Sequence, residues 1–446
     1  MSINLIILGA GESGVGAAIL AKKEGYQVFV SDAGKIAEKY KQELEKRGIE
    51  YEEGDHSEER ILRADEVMKS PGIPEISSLV KQIRIRGIQV ISEIELAYRH
   101  KGKSRIVGIT GSNGKTTTTS LTYHMCKHGG LNCAMVGNIG LSMAMQVAEN
   151  PKDWYIVEIS SFQLDDIHAF RPDIAILTNI TEDHLDRYEY KFENYIRSKF
   201  SIIKNQTKDD FFIFCADDPV IQQNINKYSF QSNPLPYTMQ KEPNQGGFIR
   251  NGQMNVQAGN EILKMSIYDF ALKGIHNQYN TLAAGLAAVT IGIRKEKIRE
   301  AVQSFQSLEH RMEYVTTVRG VEFINDSKAT NVNSTWFALE SMQKPVILIM
   351  GGIDKGNDYS LLRDLIKEKV KAIVCMGIDN RKIHEAFQTD VPVIVNTGSA
   401  LEAVKSSFHL ADKGDIVLLS PACASFDLFK NYEDRGNQFK VAVRDL

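Results

Sequence analysis

The sequence has few of the features that mark secreted, membrane-spanning or nucleic-acid-binding proteins. Its five cysteines are scattered and form no C-x-x-C pair, which excludes a disulfide framework and a cysteine zinc site. No apolar run approaches the roughly 18 residues of a membrane span. The short apolar run at the start continues into glycines, so we expect no signal peptide. The net charge of −3 gives no sign of a nucleic-acid surface. We expect a cytoplasmic protein whose anionic ligands are bound by local positive groups.

The length and the element pattern indicate several α/β domains. At 446 residues, the chain exceeds the roughly 100–200 residues of an ordinary domain. Strands and helices alternate along most of it, which predicts mostly parallel sheets. We expect three domains, at 1–98, 99–307 and 308–446. No apolar repeat or coiled-coil stripe suggests association, so the expected state is a monomer.

Apolar runs predict the strands of each domain. Those of the first and central domains are 3–8, 27–31, 67–73, 88–92, 154–159 and 174–179. Those of the third domain are 321–325, 346–350, 372–376 and 416–420. The segment from 211 to about 268 alternates more and contains Gly and Asn turns. For this segment we predict an antiparallel edge of the central sheet.

A glycine-rich stretch between a predicted strand and a predicted helix is the most informative motif. It reads Gly111-Ser112-Asn113-Gly114-Lys115-Thr116-Thr117. Such a turn directs backbone N–H groups at one point, which the positive end of the helix dipole makes suitable for a phosphate. Lys115 would contact the β- and γ-phosphates, and the Thr116 hydroxyl would bind Mg²⁺. The general pattern has glycine where this chain has Ile109, and the alternative is an ordinary glycine turn before a helix.

A second glycine-rich turn follows the first predicted strand. Gly9, Gly11 and Gly14, with Asp32 about 20 residues further on, match the dinucleotide fingerprint. A nicotinamide cofactor would place its ribose on Asp32. The same turn also serves other nucleotides, such as a uridine diphosphate, and the motif alone leaves both open.

Three polar residues follow the strands of the central domain. The carboxyl ends of parallel strands meet at one edge, so Glu158 and His184 are expected near the phosphate loop. Glu158 can bind the Mg²⁺ of a nucleotide or cap the next turn. His184 can bind metal, orient a substrate carboxylate or be structural. Lys199 lies on a helix predicted over 192–203. This position by itself predicts only a lysine exposed to solvent.

In the third domain, three polar loops follow predicted strands and should form one rim of the sheet. They are Asn325–Asn331, Gly351–Gly356 and Ser420–Asp427. Each alone is compatible with an ordinary loop, but together they suit polar, charged ligands. Near the start of this domain, His310-Arg311 could place a guanidinium on a phosphate.

Together these motifs resemble the Mur ligases, the ATP-dependent amino-acid-adding enzymes of peptidoglycan synthesis. The similarity covers nearly the whole chain and accounts for the glycine spacing of the phosphate loop. The segments similar to family signatures are Gly137–Gly140, Glu158–Leu164, His276-Asn277 and Glu309–Arg311. Asn325–Asn331 and Leu419–Ser425 resemble the D-glutamate-adding members, and the spacing from His184 to Lys199 also matches.

The resemblance implies a three-domain fold and a role for each candidate residue. It implies a Rossmann-like N-terminal domain for the uridine diphosphate, a central phosphate-loop ATPase domain and a Rossmann-like C-terminal domain. Contacts to the UDP substrate would come from Ser13, Asp32, Ser70, Asn138 and His184. Contacts to ATP would come from residues 111–117, Asn277, Arg311, Asp326 and Lys328. Contacts to D-glutamate would come from Thr330, Lys355, Ser425 and the backbone near Tyr432. Ala33-Gly34 depart from the larger polar residues of some relatives, which leaves the contacts there open.

The resemblance also implies the catalytic groups and cofactors. Lys115, Glu158, His184 and Lys199 would be catalytic, with ATP and two Mg²⁺ ions. Thr116 and Glu158 would bind one ion. His184 and a CO₂-derived carbamate on Lys199 would bind the other.

The expected reaction adds D-glutamate to UDP-N-acetylmuramoyl-L-alanine through an acyl phosphate, with small molecules as the partners. The alternatives are a sister ligase that adds another amino acid or acts on folate, a non-catalytic ATP-binding regulator, and a nicotinamide-dependent oxidoreductase.

Overall fold

The computed structural model describes residues 2–305 and 309–446, which contain three β-sheets. The chain divides into two compact units, Met1–Ala271 with Gln278–Phe305 and Leu272–Asn277 with Gln306–Leu446. The first unit contains the first two sheets, and the second unit contains the third. The predicted boundary at 307/308 lies outside the described residues, and the one at 98/99 lies within a helix, Glu93–His100.

The first sheet is fully parallel, with strand order β3-β2-β1-β4-β5. Its strands are β1 Asn4–Leu8, β2 Gln27–Asp32, β3 Glu50–Glu53, β4 Glu66–Lys69 and β5 Gln89–Ile91. Its helices are α1 Glu12–Lys23, α2 Glu38–Lys46, α3 Glu58–Ile61, α4 Ser78–Ile85 and α5 Glu93–His100. Strand β1 is central and almost entirely buried because its run of leucine and isoleucine is covered on both faces.

The second sheet contains nine strands in the order β14-β13-β12-β11-β10-β9-β6-β8-β7. They are β6 Arg105–Thr110, β7 Cys133–Gly137, β8 Trp154–Glu158, β9 Ile174–Leu177, β10 Phe211–Cys215, β11 Asn233–Thr238, β12 Gly246–Arg250, β13 Gln253–Ala258 and β14 Glu261–Ser266. The helices are α6 Lys115–His128, α7 Met143–Glu149, α8 Ser161–Leu164, α9 Phe192–Phe200, α10 Pro219–Asn224, α11 Ile275–Ile291 and α12 Lys295–Ser304. Short 3-10 helices cover Leu185–Tyr188, Ser201–Ile203, Ile225–Lys227 and Ile267–Asp269.

The prediction of an antiparallel edge over 211 to about 268 is only partly correct. Strand β10 pairs in parallel with both β9 and β11, and β11 pairs in parallel with β12. Antiparallel pairing begins only between β12 and β13 and continues to β14. The sequence of β10, FFIFC, is nearly continuously apolar, as expected for a parallel strand inside a sheet. The alternation that suggested an antiparallel edge belongs to the last strands alone.

The third sheet has the order β15-β16-β20-β17-β18-β19, with all neighbours parallel except β15 and β16. The strands are β15 Glu313–Val318, β16 Val321–Asn325, β17 Val346–Met350, β18 Val370–Met376, β19 Ile394–Thr397 and β20 Ile416–Leu419. The helices are α13 Val332–Ser341, α14 Arg363–Lys369, α15 Arg381–Phe387, α16 Ala400–Leu410 and α17 Tyr432–Arg444, with a 3-10 helix at Tyr359–Leu362. An apolar cluster lies on each face of the sheet, so its inner strands are buried on both sides.

Among the residues that the structure describes, no helix is long and apolar enough to cross a membrane.

Candidate active site

The phosphate loop lies between β6 and α6, as predicted. Gly114 caps the N-terminus of α6 with φ +80°, and Gly111 has φ +144°. A Cβ on Gly111 would lie 1.9 Å from Thr178 Oγ1, and one on Gly114 would lie 2.4 Å from Asn280 Oδ1. Both positions therefore require glycine for space as well as for backbone conformation. The helix begins at Lys115, so its first backbone N–H groups lie within the glycine-rich motif.

The segment after β9 holds the phosphate loop from one side. Ser112 N donates to Asn179 O at 2.9 Å, and Asn113 N donates to Asn179 Oδ1 at 2.9 Å. The Ser112 hydroxyl donates to Thr181 O at 2.9 Å. Strands β9 and β6 are neighbours in the sheet. The predicted convergence of strand ends is thus confirmed, and the shape of the loop is supported by hydrogen bonds from the segment after β9.

Two lysine ammonium groups meet at one carbonyl of this loop. Lys115 Nζ donates to Gly111 O at 2.7 Å and to Ser112 O at 2.8 Å. Lys199 Nζ donates to the same Gly111 O at 2.9 Å and lies 3.2 Å from Thr110 Oγ1. Lys199 is only 1% exposed, so the reading of a solvated lysine, which the helix pattern alone supports, is wrong.

The surroundings of Lys199 favour a neutral amine. Burial, followed by the nearby charge of Lys115, lowers the pKa of Lys199 well below its ordinary value. Asp183, Asp165 and Glu158 act in the opposite direction, but less strongly. A lowered pKa increases the fraction of neutral amine, which is the form that has a free electron pair.

Glu158 lies at the carboxyl end of β8, directly beside β6. It is 1% exposed, and its Oε1 accepts a hydrogen bond of 2.9 Å from Asn138 Nδ2. Asn138 N also donates to Glu158 O at 2.9 Å, which fixes the two residues to each other. A buried carboxylate on the strand beside the phosphate loop is an oxygen ligand that suits Mg²⁺. Thr116, in the first turn of α6, adds a hydroxyl oxygen directly after the same loop.

His184 lies in the loop after β9, at the start of the 3-10 helix Leu185–Tyr188. Its backbone is left-handed, with φ +53°. Its ring packs edge-on against the Phe162 ring at 5.2 Å between centroids, and its Nε2 is 3.6 Å from Asp183 Oδ2. The imidazole is therefore oriented by neighbours while part of it stays accessible.

The described residues contain no group of three or more His, Cys, Asp or Glu side chains that could hold a metal ion. Mg²⁺ is usually bound by one or two carboxylates together with substrate phosphates and water. The buried Glu158 carboxylate, on the strand beside the phosphate loop, is compatible with a site of that kind.

The glycine turn after β1 has the shape expected of a nucleotide-binding turn. Asp32 Oδ2 accepts from Ala10 N at 2.7 Å, and Oδ1 accepts from Gly34 N at 2.8 Å. The Ser70 hydroxyl, at the end of β4, donates to Gly9 O at 3.3 Å. Ser13 is in the first turn of α1. Asp32 and Ser70 thus contact the turn itself, and Ser13 lies at the adjacent helix N-terminus.

In the third sheet, the three polar loops lie together as predicted. They follow the neighbouring strands β16, β20 and β17. The Ser420 hydroxyl donates to Asp326 Oδ2 at 3.0 Å, and Ile353 and Ala424 exchange backbone hydrogen bonds of 2.8 and 3.2 Å. These contacts join the loop after β20 to both of the others. One rim therefore carries the candidate residues Asp326, Lys328, Thr330, Lys355 and Ser425.

Arg311 and Tyr432 complete the charged part of this rim. Burial raises the pKa of Asp326 to about 7, although the nearby Arg311 charge lowers it. Lys328 Nζ lies 5.1 Å from the centre of the Tyr432 ring, and Tyr432 O accepts from the Ser327 hydroxyl. Ser425 is buried, whereas Lys355 is exposed. Asn277, also in the second unit, donates its side-chain amide to Lys273 O at 2.8 Å.

Three residues that support these loops were not identified from the sequence. Asn179 shapes the phosphate loop, and Asn280 contacts it from α11. Arg435 is buried in α17 and donates to Ser327 O at 2.8 Å and Cys423 O at 3.2 Å. Asn179 lies within the polar run after β9, which was a usable signal. Arg435 gave no such signal, because a single arginine in an amphipathic helix is usually exposed to solvent.

The fold and the site define a phosphate-loop enzyme with an additional nucleotide-binding turn in its N-terminal domain. The family models that match are the MurD N-terminal domain over 3–79, the Mur ligase middle domain over 109–288, and the Mur ligase, glutamate ligase domain over 310–423. The chain belongs to the Mur ligase family.

Several relatives that are similar over their full length carry the same name. The protein named UDP-N-acetylmuramoylalanine–D-glutamate ligase from Christiangramia forsetii is 53% identical, and 100% of each chain is covered. The proteins of the same name from Bacteroides fragilis and Salinibacter ruber are 52% and 39% identical, covering 99% of this chain and 99% and 97% of theirs.

Solved structures support the fold at lower identity. A UDP-N-acetylmuramate–alanine ligase from Thermotoga maritima has a TM-score of 0.64 at 16% identity, with 99% of both chains covered. A pseudomurein peptide ligase type C from Methanothermus fervidus has a TM-score of 0.63 at 20% identity, with 100% of both chains covered. The predicted three-domain α/β fold is confirmed.

Proposed function

We propose that the protein joins D-glutamate to UDP-N-acetylmuramoyl-L-alanine at the expense of ATP, in peptidoglycan precursor synthesis. The observation that carries the proposal is the meeting of Lys115 and buried Lys199 at the phosphate loop, beside Glu158. Full-length relatives at about half identity are named for this reaction. A sister ligase would retain the same loop, so the amino acid must be tested directly.

In the first half-reaction, the terminal carboxylate of the nucleotide sugar would attack the γ-phosphorus of ATP. A P–O bond forms, the bond to ADP breaks, and an acyl phosphate results. Lys115 would neutralise charge on the phosphates as two anions approach. Mg²⁺, when bound by Thr116 and Glu158 and at a second position by His184 and modified Lys199, would supply further positive charge. Asn138 and His184 would orient the muramoyl end.

In the second half-reaction, the neutral amine of D-glutamate would attack the acyl carbon. A C–N bond forms through a tetrahedral intermediate, the C–O bond to phosphate breaks, and the amine loses a proton. Lys355 would pair with a substrate carboxylate, with Thr330, Ser425 and the backbone near Tyr432 around it. Asn277, Arg311, Asp326 and Lys328 would contact ATP, and Ser13, Asp32 and Ser70 the uridine diphosphate.

We also propose that Lys199 is carbamylated. The low pKa that burial gives Lys199 supports this, because only a neutral amine adds to CO₂. The product is an anion next to the Lys115 cation. Mass spectrometry under mild conditions, with ¹³C-bicarbonate NMR, would detect the modification. Absence of a carbamate resonance at saturating bicarbonate and Mg²⁺ would exclude it.

The remaining features of the proposal concern organisation. Domains of 1–98, 99–307 and 308–446 would work together as a cytoplasmic monomer. Sedimentation at working concentration tests the monomer, and limited proteolysis near 98 and 307 tests the boundaries.

The deciding experiment is phosphate release from ATP with Mg²⁺ and UDP-N-acetylmuramoyl-L-alanine. D-glutamate, L-glutamate, L-lysine and meso-diaminopimelate are compared at equal concentration. Release that requires both the nucleotide sugar and D-glutamate supports the proposal, whereas release with another amino acid identifies a sister ligase. Lys115→Ala should abolish acyl phosphate formation, and Lys127→Ala, at the distant end of the same helix, should not. Acyl phosphate formation at the wild-type rate in Lys115→Ala would contradict the role of Lys115.

A further inference from the structure

One arginine outside the assigned residues connects the two ends of the proposed nucleotide-sugar site. Arg187 lies in the 3-10 helix Leu185–Tyr188, directly after His184. Its Nη2 donates to Pro71 O at 3.2 Å and to Ile73 O at 3.1 Å. Those carbonyls belong to the turn that begins at Ser70, at the end of β4. Arg187 therefore reaches from the second sheet to the nucleotide-binding region of the first.

The other side of Arg187 is fixed to the residues around His184. Arg187 N donates to His184 O at 2.9 Å. The guanidinium carbon lies 4.3 Å from the centre of the Phe162 ring, and the same ring packs edge-on against the His184 imidazole at 5.2 Å. A guanidinium over an aromatic face is held by the ring quadrupole as well as by packing. The position of Arg187 is thus coupled to that of His184.

The turn that Arg187 contacts is also part of the nucleotide-binding region. Ser70 N donates to Leu8 O at 3.0 Å, and the Ser70 hydroxyl donates to Gly9 O at 3.3 Å. Ile73 O accepts from both Arg187 and Lys69, the latter at 3.4 Å. A shift of the turn relative to the second sheet would therefore change the distance between the glycine turn and His184.

We propose that Arg187 is a positioning residue that sets the distance between the uridine diphosphate turn and the His184 end of the site. This inference depends on the proposed function, because it concerns a substrate that occupies both ends. Two linked contacts strengthen binding only when their spacing matches that of the ligand. A small misplacement of the reacting end can cost about 100-fold in rate. Arg187 would then affect the whole substrate and not its nucleotide part.

The test compares a ligand that reaches one end of the site with a ligand that reaches both. Affinities for UDP and for UDP-N-acetylmuramoyl-L-alanine are measured by calorimetry for the wild type, Arg187→Met and Arg187→Lys. For Arg187→Met we expect the affinity for UDP and the KM for ATP to be unchanged. For the whole substrate we expect the affinity or the kcat/KM to fall by about 10–100-fold. Arg187→Lys keeps the charge and a donor nitrogen but loses the planar group that lies over the Phe162 ring, so it should be intermediate.

Two further variants separate positioning from a general structural role. Arg197→Met is the matched control, because Arg197 is on α9 and its side chain donates to Asn194 Oδ1 on the same helix, within one turn. It should behave as the wild type. Phe162→Leu removes the aromatic face and leaves the arginine donors, so it should weaken whole-substrate binding with UDP binding unchanged.

Each outcome has a definite reading. An equal loss of affinity for UDP and for the whole substrate in Arg187→Met overturns the inference, as does no loss for either. If Arg187→Met unfolds, Arg187→Lys and Phe162→Leu decide by the same comparison. Failure of the wild-type protein to bind the whole substrate more tightly than UDP overturns the proposed function and the inference together.

Discussion

Replacing Asp166 with asparagine is expected to destabilise the unit that contains the first two sheets. The Asp166 side chain, 1% exposed, lies after α8 in the second-sheet region. Its Oδ2 is 3.2 Å from Lys69 Nζ, and its Oδ1 accepts from Arg84. Lys69, at the end of β4, is 2% exposed, and Arg84 belongs to α4. The carboxylate thus joins the first-sheet region to the second through charges that are largely out of water.

The size of the effect follows from burial and from the partners that remain. Removing one member of a buried ion pair typically costs about 3–5 kcal/mol. The cost here should be at the lower end, since Glu75 Oε1, on a side chain 40% exposed, is 3.0 Å from Lys69 Nζ and still compensates it. For a unit of roughly 300 residues, an unfolding entropy of about 2.1 cal/mol/K per residue converts about 3 kcal/mol into a fall in Tm of about 5 °C.

Thermal unfolding followed by far-UV circular dichroism, with urea unfolding at 25 °C, measures the effect. Glu59→Gln is the control, because Glu59 and Arg63 form a surface pair with side chains 83% and 73% exposed. This change should stay within about 0.5 kcal/mol. The double variant Lys69→Met/Asp166→Leu should regain part of the stability, since apolar side chains leave no buried charge. A Tm of Asp166→Asn within 1 °C of wild type, roughly the effect of a surface change, would refute this reasoning.

Three further predictions concern the charges of Lys199 and Glu93 and the space around Gly114. Lys199→Ala should lose roughly 100-fold or more of activity, and acetate should restore part of it in a steady-state assay; full activity without acetate would contradict the carbamate. Burial raises the pKa of Glu93 above its usual 4.5, so the native state loses stability as pH rises from that value to the raised one. Glu93→Gln removes this loss, so the Tm of the variant relative to that of the wild type should rise over the same pH interval and then level off. A Tm difference that does not depend on pH would contradict this prediction. Gly114→Ala should weaken ATP binding by more than about 10-fold, because its Cβ meets Asn280; Gly130→Ala, with the same φ of +80° but open space, should not.

Much of the fold follows from local sequence because the sheets are mostly parallel and buried. The predicted strands 321–325 and 346–350 coincide with β16 and β17, whose apolar runs are bounded by clear turns. The parallel pairing of β10 did not follow from the local sequence. The direction of a neighbouring strand depends on the connection between the two strands and not on the sequence of either one. Strands β3, β7, β15 and β19 were not predicted. All four are edge strands, and β3, β15 and β19 contain polar residues and are only partly buried.

The site could be predicted where its functional residues lie together in one continuous segment. The phosphate loop is such a segment, because its glycines, lysine and threonines act through nearby backbone. Lys199 is different, since its helix sequence resembles a surface helix and burial comes from the loop packed above it. Arg187 and Arg435 are of the same kind. Their hydrogen-bond partners are backbone carbonyls distant in sequence. Every residue has a backbone carbonyl, so the sequence does not indicate which one an arginine contacts.

The two lysines at Gly111 show why that distant packing matters for the proposed chemistry. An ammonium on Lys199 would share one carbonyl with the ammonium of Lys115, and the Lys199 side chain is buried. Repulsion between like charges and loss of hydration both favour the neutral amine. Addition of CO₂ to that neutral amine forms a C–N bond and releases one proton, and the resulting anionic carbamate is attracted by the Lys115 cation. Lys115 therefore promotes both the reactive form of Lys199 and the proposed carbamate that forms from it.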